Sequence, residues 1–264
     1  MLGDMNINKM ENLAKKIRQN VFYMISNKGR GHYGGSLSCI EILISLYYKI
    51  MNSDDKFVLS KAHAGATLYA ILADKGIIKS DLLKTYGMEN SKLGVHPENH
   101  LLPGIEFSCG SLGHGLGFSI GLALGLRKKK QKGTIFVLIG DGESQEGSIW
   151  EAALFAAHHQ IDNIIAITDY NKKQGSGYIS NILELNPVIE KWKSFGWDTV
   201  EIDGHSLNDL INTFEMLNQC KGKPKMIIAH TIKGKGLSLI ENREHCHSDS
   251  LSDDELSIAR IELL

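Results

Sequence analysis

The chain reads Thr134-Ile135-Phe136-Val137-Leu138-Ile139-Gly140-Asp141-Gly142 and, after one intervening segment, Asn163-Ile164-Ile165-Ala166-Ile167-Thr168-Asp169-Tyr170-Asn171. Each stretch is a short apolar run bounded by turn formers, the pattern of a strand buried on both faces. Between them Ser148 and Glu151 have capping-box spacing, which predicts a helix running to about His159. Strand, helix and strand make a βαβ unit. Right-handed crossovers make its strands parallel, so Asp141 and Asn171 leave the sheet at one edge. Gly-Asp-Gly by itself is an ordinary tight turn; Asn171 at the end of the second strand supplies a second oxygen donor. A carboxylate, an amide oxygen and a loop carbonyl, completed by diphosphate oxygens and water, suit a hard cation such as magnesium. Gly140 and Gly142 let backbone approach those phosphates closely.

Working outward, Met10, Leu13, Ile17, Val21 and Met24 recur at helical spacing, predicting an amphipathic first helix that stops before Gly29-Arg30-Gly31. A second helix is expected from Ser38, with Glu41 completing a capping box and the run Ile40 to Leu46 buried. Phe57-Val58-Leu59 reads as a buried strand and Ala64 to Asp74 as a helix stopped at Gly76. Leu93 to Pro103 has no periodicity and reads as a loop. Asp198 to Ile202 and Met226 to His230 are further strands, with a helix from Ser206 to about Leu217 between them, capped with Asp209. The alternation predicts an α/β fold: a mostly parallel central sheet with helices on both faces, residues 1–264 forming a single domain.

The 264 residues carry 29 Lys and Arg against 30 Asp and Glu, a net charge of −1, with 42% hydrophobic and 22% charged residues. These are globular values that exclude a disordered chain, and the balanced charge gives no field for nucleic acid or an anionic membrane, the cluster at Lys128, Lys129 and Lys130 notwithstanding. Cys39, Cys109, Cys220 and Cys246 lie apart with no C-x-x-C pair, which points to a reducing cytoplasm. No stretch has the length of a signal peptide core or a membrane span.

Gly140-Asp141-Gly142 with Asn171 resembles the signature of the diphosphate-binding domain of thiamine-diphosphate enzymes, and more closely the N-terminal subunit of a split transketolase. Five further segments resemble that family in the right order: Gly31-His32-Tyr33-Gly34-Gly35-Ser36, Leu59-Ser60-Lys61-Ala62-His63, His96-Pro97-Glu98, Gly110-Ser111-Leu112-Gly113-His114-Gly115 and Ile232-Lys233-Gly234-Lys235-Gly236. The resemblance implies thiamine diphosphate with magnesium held by Asp141, Asn171 and the carbonyl of Lys173, and Gly142 facing the diphosphate. It implies that Glu146 joins the network between cofactor and subunit interface, and that Gly110, Leu112 and Gly113 meet the cofactor rings. It implies an active-site set of His32, His63, His96 and His247, with His63 and His247 near the diphosphate and reacting centre and His32 and His96 near substrate hydroxyls. Groups titrating near neutrality suit the proton movements of ketol transfer.

Departures from the family lie on the substrate side: Tyr33 for proline, His114 for glutamine, Cys246 for tryptophan and Ser248 for glycine. His245-Cys246-His247 also has the composition of a transition-metal site, but no further ligand pair lies at suitable spacing, and the cofactor loop is the preferred reading. Gly113, Gly117, Gly121 and Gly125 recur every four residues, predicting close packing beneath the cofactor or against a partner.

The resemblance therefore implies half of an enzyme that moves a two-carbon ketol unit from a ketose to an aldose. The pyrimidine-binding and C-terminal domains would reside on a partner chain, with two copies of each chain assembled and phosphorylated sugars as substrates. The rival expectations are another thiamine-diphosphate enzyme component, of 2-oxoacid dehydrogenase or deoxyxylulose phosphate synthase type, and a non-catalytic cofactor-binding protein.

Overall fold

In the computed structural model, residues 5–27, 31–241, 243 and 251–263 are described. The first strand, β1 (Lys56–Leu59), is followed by β2 (Ile135–Gly140) and β3 (Ile164–Tyr170), then by a small antiparallel hairpin of β4 (Lys173–Gln174) and β5 (Gly177–Tyr178), and finally by β6 (Asp198–Asp203) and β7 (Lys225–His230). The main sheet has the order β1-β2-β3-β7-β6, and every pairing in it is parallel. All five expected strands are present within a residue or two of their expected limits.

Alternation along these strands builds two cores. Phe57, Leu59, Phe136, Leu138, Ile165, Ile167 and Ile227 point to one face and pack under α1 (Ile7–Ser26), the short helices α2 (Tyr33–Leu37) and α3 (Ile40–Ser45), and α4 (Gly65–Asp74). Val58, Val137, Ile139, Ile164, Ala166 and Met226 point to the other, against α5 (Gly115–Lys128), α6 (Gly147–His158), Trp192 and Trp197. A parallel sheet covered on both faces needs apolar side chains at successive positions, and this is why its strands read as unbroken runs. Among the described residues no helix is long and apolar enough to cross a membrane.

Two local expectations fail. Neither Ser38 with Glu41 nor Ser148 with Glu151 forms a capping box: α3 starts after Cys39 and α6 after Glu146, in both cases without a side-chain cap. Tertiary partners take the groups instead. Ser38 donates to Asp169 at 2.5 Å, Glu41 is bound by Arg18 and His205, and the Ser148 hydroxyl donates to the Gly113 carbonyl at 3.0 Å. The glycine stripe is a third correction. Gly117, Gly121 and Gly125 have nothing within 4 Å of where a β-carbon would stand, so α5 does not pack beneath the cofactor site through them. Gly113 is not part of that helix.

Candidate functional site

The carboxyl ends of β2 and β3 lie side by side, Gly140 in register with Asp169, so the chain leaves both strands at one edge of the sheet. Asp141 is buried there, and its carboxylate accepts from the Gly142 N–H at 2.7 Å and from the Lys172 N–H. Asn171 is turned by its own loop, its side-chain oxygen accepting from the Lys173 N–H at 3.2 Å. Asp141, Gly142, Glu146, Asn171, Lys173, Leu112 and His63 all line one cavity of about 210 Å³. Gly142 forms part of its wall, where a β-carbon would meet the Gln174 side chain at 2.8 Å.

Burial, reinforced by the charge of Asp169, lifts Asp141 from the ordinary 3.8 to about 7. A buried carboxylate so strained in its charged form is one that a divalent cation keeps ionised. Carboxylate, amide oxygen and backbone carbonyl are hard oxygen donors, so the residues present fit a magnesium ion shared with a diphosphate.

The cavity is also lined by Lys61 and Glu143, groups to which sequence reasoning gave no role. Lys61 and Asp169 form a buried ion pair, and Ser38 and Thr231 also donate to the Asp169 carboxylate. Burial pulls the Lys61 ammonium down, but Asp169 outweighs it and holds it above its ordinary value; the same attraction holds Asp169 below the usual carboxylate range against the upward push of burial. Glu143 is a second buried acid. Its carboxylate accepts from Ser60, from the Gly113 N–H at 2.9 Å and from the Gly140 N–H at 3.0 Å, tying three loops together. Burial pushes its carboxyl up. Lys61 lies within a quoted motif and Glu143 directly after Gly-Asp-Gly, but their partners are distant in sequence and only the fold reveals them.

Three of the expected histidines come together. The His32 and His63 rings are 4.2 Å apart, His63 and His96 5.5 Å, and His32 and His96 5.8 Å, with one nitrogen from each within 4.8 Å of the others. Burial, with the charges of His96, Lys233 and Lys61, lowers His32 to about 4, and burial lowers His96 as well. Both shifts favour the neutral imidazole. The His96 Nε2 atom is buried with no hydrogen-bond partner among the described residues, a need that a substrate hydroxyl would meet. Gly110 lies beside this ring. His247, with His245, Cys246 and Ser248, lies outside the described residues.

Gly113 has φ +85°, a left-handed conformation that glycine adopts without strain, and it packs between Glu146 and Ser148. Glu146 itself is exposed at the rim, where a second chain can reach it. Of the departures, Tyr33 turns away from the site into the core against Phe22, which removes it from the substrate side; His114 is exposed.

Residues 9–263 match the family described as "Transketolase, thiamine diphosphate binding domain". The chain is 40% identical over 263 residues to the 6-deoxy-6-sulfo-D-fructose transketolase subunit SqwG of Clostridium sp. (strain MSTE9), covering 96% of each chain. It is 40% identical over 270 residues to an apulose-4-phosphate transketolase subunit of Actinobacillus succinogenes, covering 98% of each. Among solved structures, the transketolase of Campylobacter jejuni superposes with a TM-score of 0.91 at 29% identity, over 98% of this chain and 43% of that one. The chain thus spans nearly the full length of the subunits but less than half of that transketolase.

Proposed function

The chain belongs to the transketolase thiamine diphosphate-binding family, and from that premise we propose that it is the N-terminal subunit of a split transketolase that transfers a two-carbon ketol unit. The observation that carries this reading is the convergence of Asp141, Asn171 and Lys173 on one cavity that also reaches His63. In it Asp141, Asn171 and the Lys173 carbonyl hold magnesium, Gly142 gives the diphosphate its close approach, and Leu112 with Gly110 and Gly113 forms the apolar and backbone surface for the rings. Bound thiamine diphosphate supplies the electron sink for breaking a carbon–carbon bond beside a carbonyl.

The neutral His32 and His96 hold substrate hydroxyls and can accept a proton from the donor or return one to the acceptor; His63 and His247 serve nearer the reacting centre. Both relatives are named for ketoses that carry an anionic group, which supports a phosphorylated or similarly charged sugar as substrate. The single diphosphate-binding domain of residues 1–264 works with a partner chain that brings the pyrimidine-binding and C-terminal domains, in an assembly of two copies of each. The free thiols of Cys39, Cys109 and Cys220 support a cytoplasmic setting. The clustered imidazoles favour ketol transfer over the 2-oxoacid dehydrogenase and deoxyxylulose phosphate synthase readings, because a sugar hydroxyl needs such partners.

The test is co-purification with the product of a neighbouring gene, then assay with phosphorylated and unphosphorylated ketoses, an aldose acceptor, thiamine diphosphate and Mg²⁺. Ketol transfer that requires both chains and both cofactors is expected; transfer by the isolated chain contradicts the split reading.

A further inference from the structure

We propose that the edge of the sheet opposite the candidate active site binds a small phosphate-bearing anion that also offers a hydroxyl, such as monohydrogen phosphate or a sugar phosphate. The inference stands apart from the cofactor reading. Thr134 and Asn163 immediately precede β2 and β3, Lys225 opens β7, and all three line a cavity of about 250 Å³ at the amino ends of these strands. The length of the strands puts it roughly 20 Å from the edge that carries Asp141 and Asn171. Pockets for drug-sized ligands run to roughly 300–1,000 Å³, so the occupant of this one is small.

Positive charge dominates the wall. Arg127, Lys132, Lys221 and Lys225 line it against a single carboxylate, that of Asp162. The Asp162 carboxylate accepts from the Gly222 N–H at 3.0 Å, and nearby Asp198 is paired with Lys223 at 3.5 Å. Among the described residues none of the four lining cations forms an ion pair with a carboxylate. Arg127 donates through Nη1 alone, to the carbonyls of His159 and Gln160 at 3.2 and 2.8 Å just beyond α6. Lys225 is 2% exposed, and its ammonium donates to the neutral carbonyl of Asp162, which uses one of its three N–H donors. Burial, with repulsion from Lys221, pulls that ammonium below the ordinary lysine value against the attraction of Asp162. An anion in the cavity relieves both penalties.

Asn163 adds selectivity. Its amide nitrogen donates to the Ala123 carbonyl at 3.0 Å, which fixes the orientation of the amide, and its buried side-chain oxygen has no partner among the described residues. Such an oxygen needs a donor. Cations beside one unmet acceptor suit an anion that carries an O–H group, which monohydrogen phosphate and sugar phosphates have and sulfate at neutral pH lacks. A nucleic acid would need an extended cationic track, and the net charge of −1 gives no such field.

The experiment uses the full chain with excess thiamine diphosphate and Mg²⁺, so that phosphate does not report on the other cavity, in the wild type and in Lys225→Met, Lys221→Ser and Asn163→Leu variants. Phosphate binding is followed by ³¹P NMR line broadening, with sulfate and a short single strand of DNA as competitors. Lys225→Met is expected to weaken phosphate binding at least about tenfold and Lys221→Ser about threefold. The wild type is expected to favour phosphate over sulfate about tenfold, and Asn163→Leu to lose that preference. Lys221 is exposed, so its variant reads the charge of the site even where Lys225→Met does not fold. Equal phosphate affinity in the wild type and the lysine variants overturns the proposal, as does a wild type that binds sulfate as tightly as phosphate. Displacement of phosphate by the DNA strand at lower concentration than by sulfate overturns it in favour of a polyanion.

Discussion

At the scale of single residues, the site sets charge against burial. Asp141 sits at about 7 because it is enclosed beside Asp169, and in the absence of a cation the folded chain therefore binds more protons than the unfolded one between its ordinary 3.8 and that value. A raised folded-state value stabilises below the unfolded value and loses that contribution as pH rises through about 7. The cation-free chain is accordingly expected to melt lower at pH 8 than at pH 5, and Asp141→Asn is expected to flatten that dependence while weakening Mn²⁺ binding by more than about tenfold. Paired thermal melts and metal titrations check this; an unchanged slope with unchanged affinity counts against Asp141 as the ligand. His32 runs in the opposite direction. Its value of about 4 means that stability from the neutral ring is complete above about 6.5 and declines as pH falls through about 4. Proton NMR of the ring is expected to show a midpoint near 4, and a midpoint near 6.5 would place His32 in solvent rather than in the cluster.

At the scale of elements, strands were more legible in the sequence than helix starts. A strand buried on both faces is written as a run of apolar residues with no competing interpretation, and β1, β2, β3, β6 and β7 all stand where those runs lie. The pattern Ser-x-x-Glu, in contrast, occurs at Ser38, Ser148, Ser238 and Ser252; Ser252 with Glu255 forms a capping box, whereas Ser38 and Ser148 do not. Among the described residues no distant group takes the Ser252 hydroxyl, whereas Asp169 and the Gly113 carbonyl claim those of Ser38 and Ser148. A local cap is worth only about 1 kcal/mol, so a buried charged acceptor outcompetes it. The glycine spacing in α5 was equally visible, but its use was not. Gly117 and Gly121 are exposed beside Phe118, and Leu154 and Phe155 on α6 are also exposed. Among the described residues nothing packs on this stripe, and the split reading proposed above gives it a partner chain to pack against. Gly121→Leu is expected to leave the fold of the isolated chain intact, since nothing lies within 4 Å, and to impair assembly with the partner chain. Sedimentation of the mixed chains checks it, and normal assembly with full activity refutes a packing role.

At the scale of the whole molecule, the βαβ unit was sufficient to place Asp141 and Asn171 at one sheet edge, because crossover handedness and strand direction are general properties of α/β folds. The supports below that edge were not legible. Lys61 with Asp169, Glu143 with Gly113, and His205 with Glu41 join residues far apart in sequence, and no local pattern marks such pairs. The chain matches split subunits over nearly all their length and covers 43% of the Campylobacter jejuni transketolase, and the split reading proposed above assigns the remaining surfaces of a complete site to a partner chain. The most direct test is a crystal structure of the two-chain complex grown with thiamine diphosphate and Mg²⁺. The account predicts one cation bound by the Asp141 carboxylate, the Asn171 side-chain oxygen, the Lys173 carbonyl and the diphosphate. A cofactor seated elsewhere, or Asp141 and Asn171 turned away from a common ion, would contradict it.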